Sequence, residues 1–333
     1  MALWMSLQLW KMTLNSSYKK YKDFKPPFPF TNAFLATLLS KLRIRLHNKV
    51  VKKVTKNTIK EIFTCRNGIR LSIHKNLQTE SNKTIFLIPG YLSHQDTSYM
   101  QSSLVYFYNH GWNVIRINPV DHGDTLPLNK EIFNALQHTL VAECIENYLN
   151  DRHTNALMGF SFGGNYAIRI GTLEIAKKIK QIIAICPMVD HEKSIAAMQS
   201  PFFKWYYKRK WQKSFKYKED KWPEYDFSEL YQIKDFRAIT AKLLPSMLPE
   251  FTNIDDYFAA YKITNNVVDE LQARTTIIAS KDDEVVPSTT FQHLAENDNF
   301  RILFTEYGGH NGFIENYKFE DFSIKIAFEE AIS

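Results

Sequence analysis

The sequence predicts an α/β fold with a mostly parallel central sheet and helices on both faces. Apolar, β-branched runs of strand length alternate with helical segments, which is the pattern of a parallel sheet. A hydrophobic fraction of 44% and an aromatic fraction of 14% over 333 residues support a large core. The predicted parallel strands lie at 84–88, 113–117, 155–159, 181–186, 275–280 and 300–305. Helices are predicted near 97–110, 131–150, 163–178, 288–296 and 315–332.

The chain before the first parallel strand predicts an antiparallel start to the sheet. Residues 58–65 and 69–75 form two strand-like runs, and the Asn67-Gly68 pair between them is a strong hairpin signal. A proline-rich segment and a predicted helix from Asn32 to Leu46 precede these runs. The predicted organisation is an N-terminal extension and helix (1–57), a core (58–190 and 266–333) and a helical cap insertion (191–265).

One short motif indicates chemistry. The stretch Gly159-Phe160-Ser161-Phe162-Gly163 follows a predicted strand, precedes a predicted helix and has the G-x-S-x-G pattern of a sharp turn that presents a serine. Gly159 and Gly163 stand where a Cβ would strike the neighbouring strand or helix. We therefore predict that Ser161 is a nucleophile. The alternative is a turn of small residues without chemistry.

An acid and a histidine follow the serine in the order that this motif requires. Asp282-Asp283 comes after the predicted strand 275–280, and His310 lies in a glycine-rich loop after strand 300–305. His310 would accept the proton of the serine hydroxyl, and the carboxylate would hold the imidazole in the correct tautomer. We favour Asp283 as the acid because it precedes Pro287 by four residues. Asp282 stays as the alternative.

The loop after the first parallel strand predicts an oxyanion hole. Residues 84–88 are continuously apolar and lead into Pro89-Gly90-Tyr91. In such a site, one backbone N–H comes from this loop and the other from the residue after the nucleophile. We assign Tyr91 and Phe162 as these donors, since backbone amides stabilise a tetrahedral oxyanion.

These motifs resemble the α/β-hydrolase fold, and more narrowly its branch of esterases grouped as AB hydrolase family 4. The resemblance covers roughly residues 24 to 330 and implies a cytoplasmic serine hydrolase, usually labelled carboxylesterase. The matching segments are Pro89–Tyr91, His110–Val114, Arg116–Thr125, Gly159–Asn165, Asp282-Asp283 and Gly308–Phe313. Many relatives carry His-Gly where this chain has Pro89-Gly90, which still leaves the following amides free. The segment before Phe24 has no counterpart.

The predicted cap contains a run of aromatic and basic residues, from Pro201 to Lys218. A helical cap over Ser161 would exclude water and shape an apolar acyl pocket. We expect the aromatic rings to pack on the core while the lysines stay solvated. The alternatives are contact with an anionic membrane and, less favoured, with nucleic acid.

Composition limits the cofactors, partners and location of the protein. Cys65, Cys144 and Cys186 are far apart and have neither metal-ligand nor redox spacing, and we predict no metal and no cofactor. Low cysteine usage fits a cytoplasmic protein. Residues 1–14 have apolar positions at helical spacing and precede a lysine cluster, so a peripheral anchor at the inner membrane face is an alternative. We expect no nucleic-acid partner, and the oligomeric state stays open.

The leading hypothesis is a carboxylesterase that cleaves acyl esters through an acyl-Ser161 intermediate. A second hypothesis keeps Ser161, Asp283 and His310 but makes the substrate a lipid ester or an amide. A third is a catalytically idle hydrolase scaffold that binds a membrane or a partner through its basic aromatic surface. The complete set of motifs favours an enzyme.

Overall fold

The computed structural model describes residue 21 and residues 23–42, 48–198 and 200–333. Within these residues, eight strands form one sheet in the order β1-β2-β4-β3-β5-β6-β7-β8. The strands are β1 Ile59–Thr64, β2 Arg70–Asn76, β3 Lys83–Ile88, β4 Asn113–Asn118, β5 Thr154–Phe160, β6 Gln181–Ile185, β7 Arg274–Ser280 and β8 Phe300–Thr305. Only β2 runs antiparallel to its neighbours, β1 and β4, whereas the pairs from β4 onwards are parallel. The predicted fold class is confirmed.

Helices cover both faces of this sheet. They are α1 Ala33–Ser40, α2 Asn48–Thr55, α3 Ser98–Asn109, α4 His138–Tyr148, α5 Phe162–Ile170, α6 His191–Ala197, α7 Pro201–Lys221, α8 Phe236–Met247, α9 Ile254–Ala260, α10 Asn265–Asp269 and α11 Phe322–Ile332. None of the described helices is long and apolar enough to cross a membrane. The proposed anchor in residues 1–14 lies outside the described residues.

Four predicted helices differ from the observed ones. The helix predicted over 163–178 ends at Ile170, and Glu174–Lys178 forms a separate 3₁₀ turn. The helix predicted over 131–150 begins at His138, because the preceding segment is bonded elsewhere: Asp121 accepts from the Phe133 N–H. The helix predicted over 288–296 is one 3₁₀ turn, Ser288–Phe291. The helix predicted over 315–332 begins at Phe322, because the Asp321 side chain caps it by accepting from the Ser323 N–H.

The core lies on both faces of the central strands. Leu157 and Ile182 pack on one face, whereas the next residues along each strand, Met158 and Ile183, pack on the other. All four side chains are fully buried, which explains why these strands appear as continuous apolar runs rather than as alternating ones. The carboxyl ends of β3, β5, β7 and β8 meet at one edge of this sheet, and the candidate residues follow them.

Helices α6 to α10 are inserted between β6 and β7. The long helix α7 contributes Trp211 and Phe215 to a separate apolar cluster with Phe227 and Phe236. Lys218, also on α7, is completely buried and forms an ion pair of 2.8 Å with Asp121. Its ammonium also donates to three carbonyl oxygens, those of Asn129, Lys130 and Glu131. The insertion is therefore held against the loop that follows β4.

The expectation that the lysines of α7 stay solvated holds only in part. Lys204, Lys213 and Lys216 are exposed. Lys218 is buried, and the Lys210 ammonium points inward and donates to the carbonyl of Leu92 at 2.9 Å. The expectation failed for these two residues because the charge run alone does not show which lysines lie on the face of the helix that packs inward.

Candidate active site

Ser161 stands in the turn between β5 and α5, in a left-handed backbone conformation with φ 53° and ψ −115°. The flanking glycines allow this turn. A Cβ on Gly159 would lie 2.0 Å from the Gly163 carbonyl oxygen, and a Cβ on Gly163 would lie 2.5 Å from the Ile88 and Pro89 carbonyl oxygens. Any larger residue at either position would displace backbone. The two glycines therefore let the strained serine sit beside the end of β3.

His310 lies between the serine and a carboxylate. Its Nε2 is 2.9 Å from the Ser161 Oγ, and its Nδ1 is 2.9 Å from the Asp283 Oδ2. The carboxylate can only accept, so Nδ1 carries the proton and Nε2 is left to accept the serine hydroxyl. All three side chains are at most 6% exposed. This arrangement can activate a serine hydroxyl as a nucleophile.

The two adjacent aspartates have different partners. Asp283 Oδ1 accepts from the backbone N–H groups of Val285 and Val286, each at 2.8 Å, which leaves Oδ2 for His310. Asp282 instead accepts from the Gly309 N–H at 2.8 Å, and burial raises the pKa of Asp282. The structure therefore brings Asp283, and not Asp282, into contact with the imidazole.

The loop after β3 lies directly against the serine. A Cβ on Gly90 would be 3.3 Å from the Ser161 Cβ. Among the described residues, neither the Tyr91 nor the Phe162 amide donates to another backbone group. Two amides next to the nucleophile are thus free to donate to an oxyanion.

His122 fixes the position of this loop. Its Nδ1 donates to the Val120 carbonyl at 2.7 Å, and its Nε2 accepts from the Leu92 N–H at 3.0 Å. An Nε2 that accepts requires the neutral imidazole, and burial lowers the pKa of His122 to about 4. His122 is therefore a positioning residue, because it binds the backbone of Leu92, the residue that follows Tyr91 in the chain.

Helix α1 supports the loop that carries His310, which the sequence did not indicate. Thr37 Oγ1 accepts from the His310 N–H at 2.8 Å. A Cβ on Gly309 would lie 2.5 Å from the Ala33 carbonyl oxygen, so the helix and the loop pack backbone against backbone. The described part of the helix predicted from Asn32 to Leu46 ends at Ser40, and residues 43–47 lie outside the described residues.

Two cavities meet at Tyr91. The first, which we call the apolar cavity, has a volume of about 60 Å³. Its walls include aromatic and aliphatic side chains, among them Tyr91, Ile132, Phe133, Phe162, Trp211 and Leu243. The second, which we call the lysine cavity, has a volume of about 70 Å³. Its walls include Lys41, Tyr91, Ser161, Tyr206, Lys210 and His310.

Lys41 is the residue of the lysine cavity that sequence reasoning missed most completely. It caps the C-terminus of α1, and its Nζ lies 4.3 Å from the centroid of the Tyr206 ring. Burial and the positive charge of Lys210 lower the pKa of Lys41 to about 7, against the opposing attraction of Asp283. Burial lowers the pKa of Lys210 to about 8. A lysine at the end of a predicted helix gives no signal of this environment.

Among the residues that the structure describes, one group of side chains brings potential metal-ligand atoms together. Cys186, Asp283 and His310 bring ligand atoms within 4.8 Å of one another. Asp283 and His310 are bonded to each other, and burial raises the pKa of the Cys186 thiol well above its usual range. A neutral thiol and an occupied imidazole make poor metal ligands, so we assign no metal to this cluster.

The fold and these contacts define an α/β-hydrolase. A family model described as "Serine aminopeptidase, S33" matches residues 79–310, and the chain belongs to this family. The predicted α/β-hydrolase resemblance is thereby confirmed. A search of curated proteins gives no match.

Solved structures with a similar fold include three hydrolases or hydrolase-like proteins. An esterase from Pyrococcus furiosus is 19% identical, with a TM-score of 0.55 over 84% of this chain and 91% of that one. A bacterial membrane phospholipase A, described as a virulence factor, is 13% identical, with a TM-score of 0.54 over 100% of this chain and 98% of that one. Mouse alpha/beta hydrolase domain-containing protein 10 is 14% identical, with a TM-score of 0.51 over 81% and 97%. At these identities the similarity shows the fold.

Proposed function

We propose that the protein is a serine esterase that cleaves acyl esters through an acyl-Ser161 intermediate. The observation that carries this proposal is the continuous chain of hydrogen bonds from the Ser161 hydroxyl through His310 to Asp283. The family match supports a serine hydrolase, and the esterase among the similar folds is in line with an ester substrate.

The reaction follows from the hydrogen-bond directions. His310 Nε2 takes the hydroxyl proton as Ser161 Oγ bonds to the ester carbonyl carbon, and the negative oxygen is stabilised by the Tyr91 and Phe162 amides. The imidazolium then gives this proton to the departing alkoxide as the carbon–oxygen bond breaks, and an acyl-serine is left. Water, deprotonated by the same imidazole, releases the acid and restores the serine.

The charge around Ser161 favours an ester over an aminopeptidase substrate. An aminopeptidase must accept the positive α-amino group of its substrate close to the scissile bond. The lysine and arginine side chains among the described residues that line the cavity beside Ser161 are Lys41 and Lys210, and their ammonium groups repel a cation. The apolar cavity on the other side of Tyr91 matches an acyl chain.

The proposal is tested by labelling with a fluorophosphonate probe together with 4-nitrophenyl esters of increasing acyl length. We expect the wild-type protein to be labelled and to hydrolyse esters. Ser161→Ala should lose the label and about a thousandfold or more of the turnover while unfolding at the same temperature. Ser93→Ala is the matched control, since Ser93 lines the same cavity but is bonded to the Tyr99 hydroxyl.

Any of three results would contradict the proposed acyl-serine esterase. Undiminished ester hydrolysis by Ser161→Ala would exclude the acyl-serine mechanism. A folded wild-type protein that takes no label and hydrolyses no ester would favour the idle scaffold. Faster turnover of aminoacyl 4-nitroanilides than of any ester would instead move the assignment to an amidase.

A further inference from the structure

We propose that the lysine cavity binds an anionic group of the substrate, a carboxylate or a phosphate, close to the ester that Ser161 attacks. This inference rests on the proposed function and narrows its substrate class to acyl esters that carry a negative charge. It is drawn from the environment of two ammonium groups, Lys41 and Lys210.

The two lysines come from distant parts of the chain to one cavity. Lys41 follows α1, and Lys210 lies on α7 of the inserted segment. Both approach the face of Tyr206, with Nζ-to-centroid distances of 4.3 and 4.8 Å. Ser161 and His310 line the same cavity. Two positive charges thus lie beside the reacting groups and share one aromatic ring.

Lys41 lacks the partners that a buried ammonium needs. Within the described residues, its Nζ is buried and has no hydrogen-bond acceptor. Its contacts are the rings of Phe203, Tyr206 and Tyr207, which attract a cation but leave its three N–H donors unsatisfied. Asp283 attracts it from nearby, yet the carboxylate oxygens of Asp283 are engaged by His310 and two backbone amides. The site is complete only when an acceptor enters the cavity.

Lys218 is a buried lysine of the same structure whose ammonium has protein acceptors for its N–H groups. Its ammonium is also buried on α7, but it contacts the Asp121 carboxylate and three carbonyl oxygens. Lys218 therefore has an anchoring role that needs no ligand. Lys41 differs because no oxygen of the described residues accepts from its ammonium, and Lys210 donates to one carbonyl and has further N–H groups available.

An anion would satisfy both lysines at once. A carboxylate or phosphate in the cavity can accept from Lys41 and Lys210 and offset their mutual repulsion. Burial and Lys210 lower the pKa of Lys41 to about 7, so an anion that binds there would raise this pKa and keep the ammonium charged. A neutral ester would gain none of this stabilisation.

The test compares charged and neutral esters of the same size at pH 6.5, in two arms. The acyl-end arm pairs mono-4-nitrophenyl glutarate with 4-nitrophenyl pentanoate. The alcohol-end arm pairs an acylglycerol phosphate with the monoacylglycerol of the same chain. In each arm we measure the ratio of kcat/KM for the charged ester to kcat/KM for the neutral one. The variants are Lys41→Met and Lys210→Met, with Lys216→Met as control, because Lys216 is exposed on α7 and paired with Asp220.

We expect this ratio to fall about tenfold in one arm for Lys41→Met and for Lys210→Met, and to stay constant for Lys216→Met. The arm that responds tells whether the anion is a carboxylate at the acyl end or a phosphate at the alcohol end. Unchanged ratios in both arms, in variants whose Ser161 still takes the fluorophosphonate label, would overturn the proposal. If Lys41→Met fails to fold, the ratio measured for Lys210→Met alone tests the proposal.

A binding measurement separates this proposal from the proposed function. Glutarate and glycerol 3-phosphate are titrated by calorimetry into the wild-type protein and into Lys41→Met, and this requires no turnover. Binding that weakens about tenfold in the variant supports the anion site even if no ester is hydrolysed. Equal affinity of both proteins for both compounds, or binding by neither, contradicts it.

Discussion

The apolar cavity and the lysine cavity are of similar size and share the Tyr91 ring, yet their walls differ in chemistry. The apolar cavity is closed by aromatic side chains such as Phe133, Phe162 and Trp211. The lysine cavity contains the two ammonium groups together with Ser161 and His310. A substrate that spans both would be apolar at one end and charged at the other. From this contrast we expect the substrate preference of the site to depend on side chains outside the motif around Ser161.

The strongest way to test the comparison is to stop the chemistry while both lysines stay in place. Asp283→Asn removes the negative charge that orients His310 and stabilises its imidazolium, so we expect kcat to fall about 10⁴-fold for charged and neutral esters alike. The ratio between the two esters should change far less than kcat, because the loss of the Asp283 charge acts on Lys41 only indirectly. Steady-state kinetics on the glutarate and pentanoate esters measure both quantities.

Asp282→Asn is the matched control for this prediction. Asp282 accepts from the Gly309 N–H rather than from the imidazole, and an amide oxygen can still accept that bond. Its effect on kcat should be no more than about tenfold. A larger loss in Asp282→Asn than in Asp283→Asn would reverse the assignment of the acid.

The second prediction alters only the apolar cavity. Phe133 packs against Tyr91 and Phe162 with ring centroids 5.4 and 5.1 Å apart. We expect Phe133→Ala to lower the free energy of unfolding by about 3–5 kcal/mol, because it leaves a cavity in the core. It should also shift the preferred acyl length of neutral esters and leave the charged-to-neutral ratio constant. Urea unfolding and the ester panel check the two effects.

Phe107→Ala provides the comparison for stability. Phe107 is fully buried on the opposite face of the sheet, away from both cavities. Its loss should destabilise the protein by a similar amount without changing the acyl-length profile. If both variants shifted the profile equally, the shift would reflect general loosening rather than the wall of the apolar cavity.

The third prediction has the smallest expected effect and concerns the lysine cavity alone: the preference for the charged ester should depend on pH. Lys41 is charged below its pKa of about 7 and neutral above it, and Lys210 follows at about 8. The preference for the glutarate ester over the pentanoate ester should therefore be greatest below pH 7 and fall about tenfold between pH 6 and 9. Parallel pH profiles of kcat/KM for the two esters give this ratio directly.

The other titratable groups that face Lys41 do not alter the assignment of this pH dependence to the two lysines. Burial raises the pKa values of Tyr99, Tyr206 and Tyr207, so these phenols stay neutral over that range. Asp283 and His310 take the same part in the chemical step of both esters, so that contribution cancels in the ratio. The dependence should flatten near pH 7 in Lys41→Met, and a profile identical to that of the wild type would assign the titration to another group.

The sequence predicted the fold correctly, and it indicated the residues that the structure brings together at Ser161, because both leave local signals in the chain. The turn at Ser161 needs Gly159 and Gly163 for steric reasons, and such a requirement is visible in a pentapeptide. The parallel strands are apolar throughout because both of their faces are buried. The catalytic roles of Ser161, Asp283 and His310, and the donor roles of the Tyr91 and Phe162 amides, stay predictions until the variants are measured.

The lysine cavity could not be predicted because it depends on contacts between segments far apart in the chain. Lys41 and Lys210 look like ordinary surface lysines in sequence, one at a helix end and one in a basic run. Which lysine turns inward is decided by how α7 packs against α1 and Tyr91. Aspartates 282 and 283 posed a similar problem, since only the local backbone determines which carboxylate reaches the imidazole.

The hydrogen bond from the His310 N–H to Thr37 joins residues that are 273 positions apart. During synthesis on the ribosome, Ser161 and its strained turn can form while the histidine loop is still to be translated. Until residue 310 has been translated, the nascent chain therefore lacks the imidazole that contacts Ser161 in the folded protein. Hydrolytic competence would arise late, when the loop around His310 closes onto a helix made at the beginning.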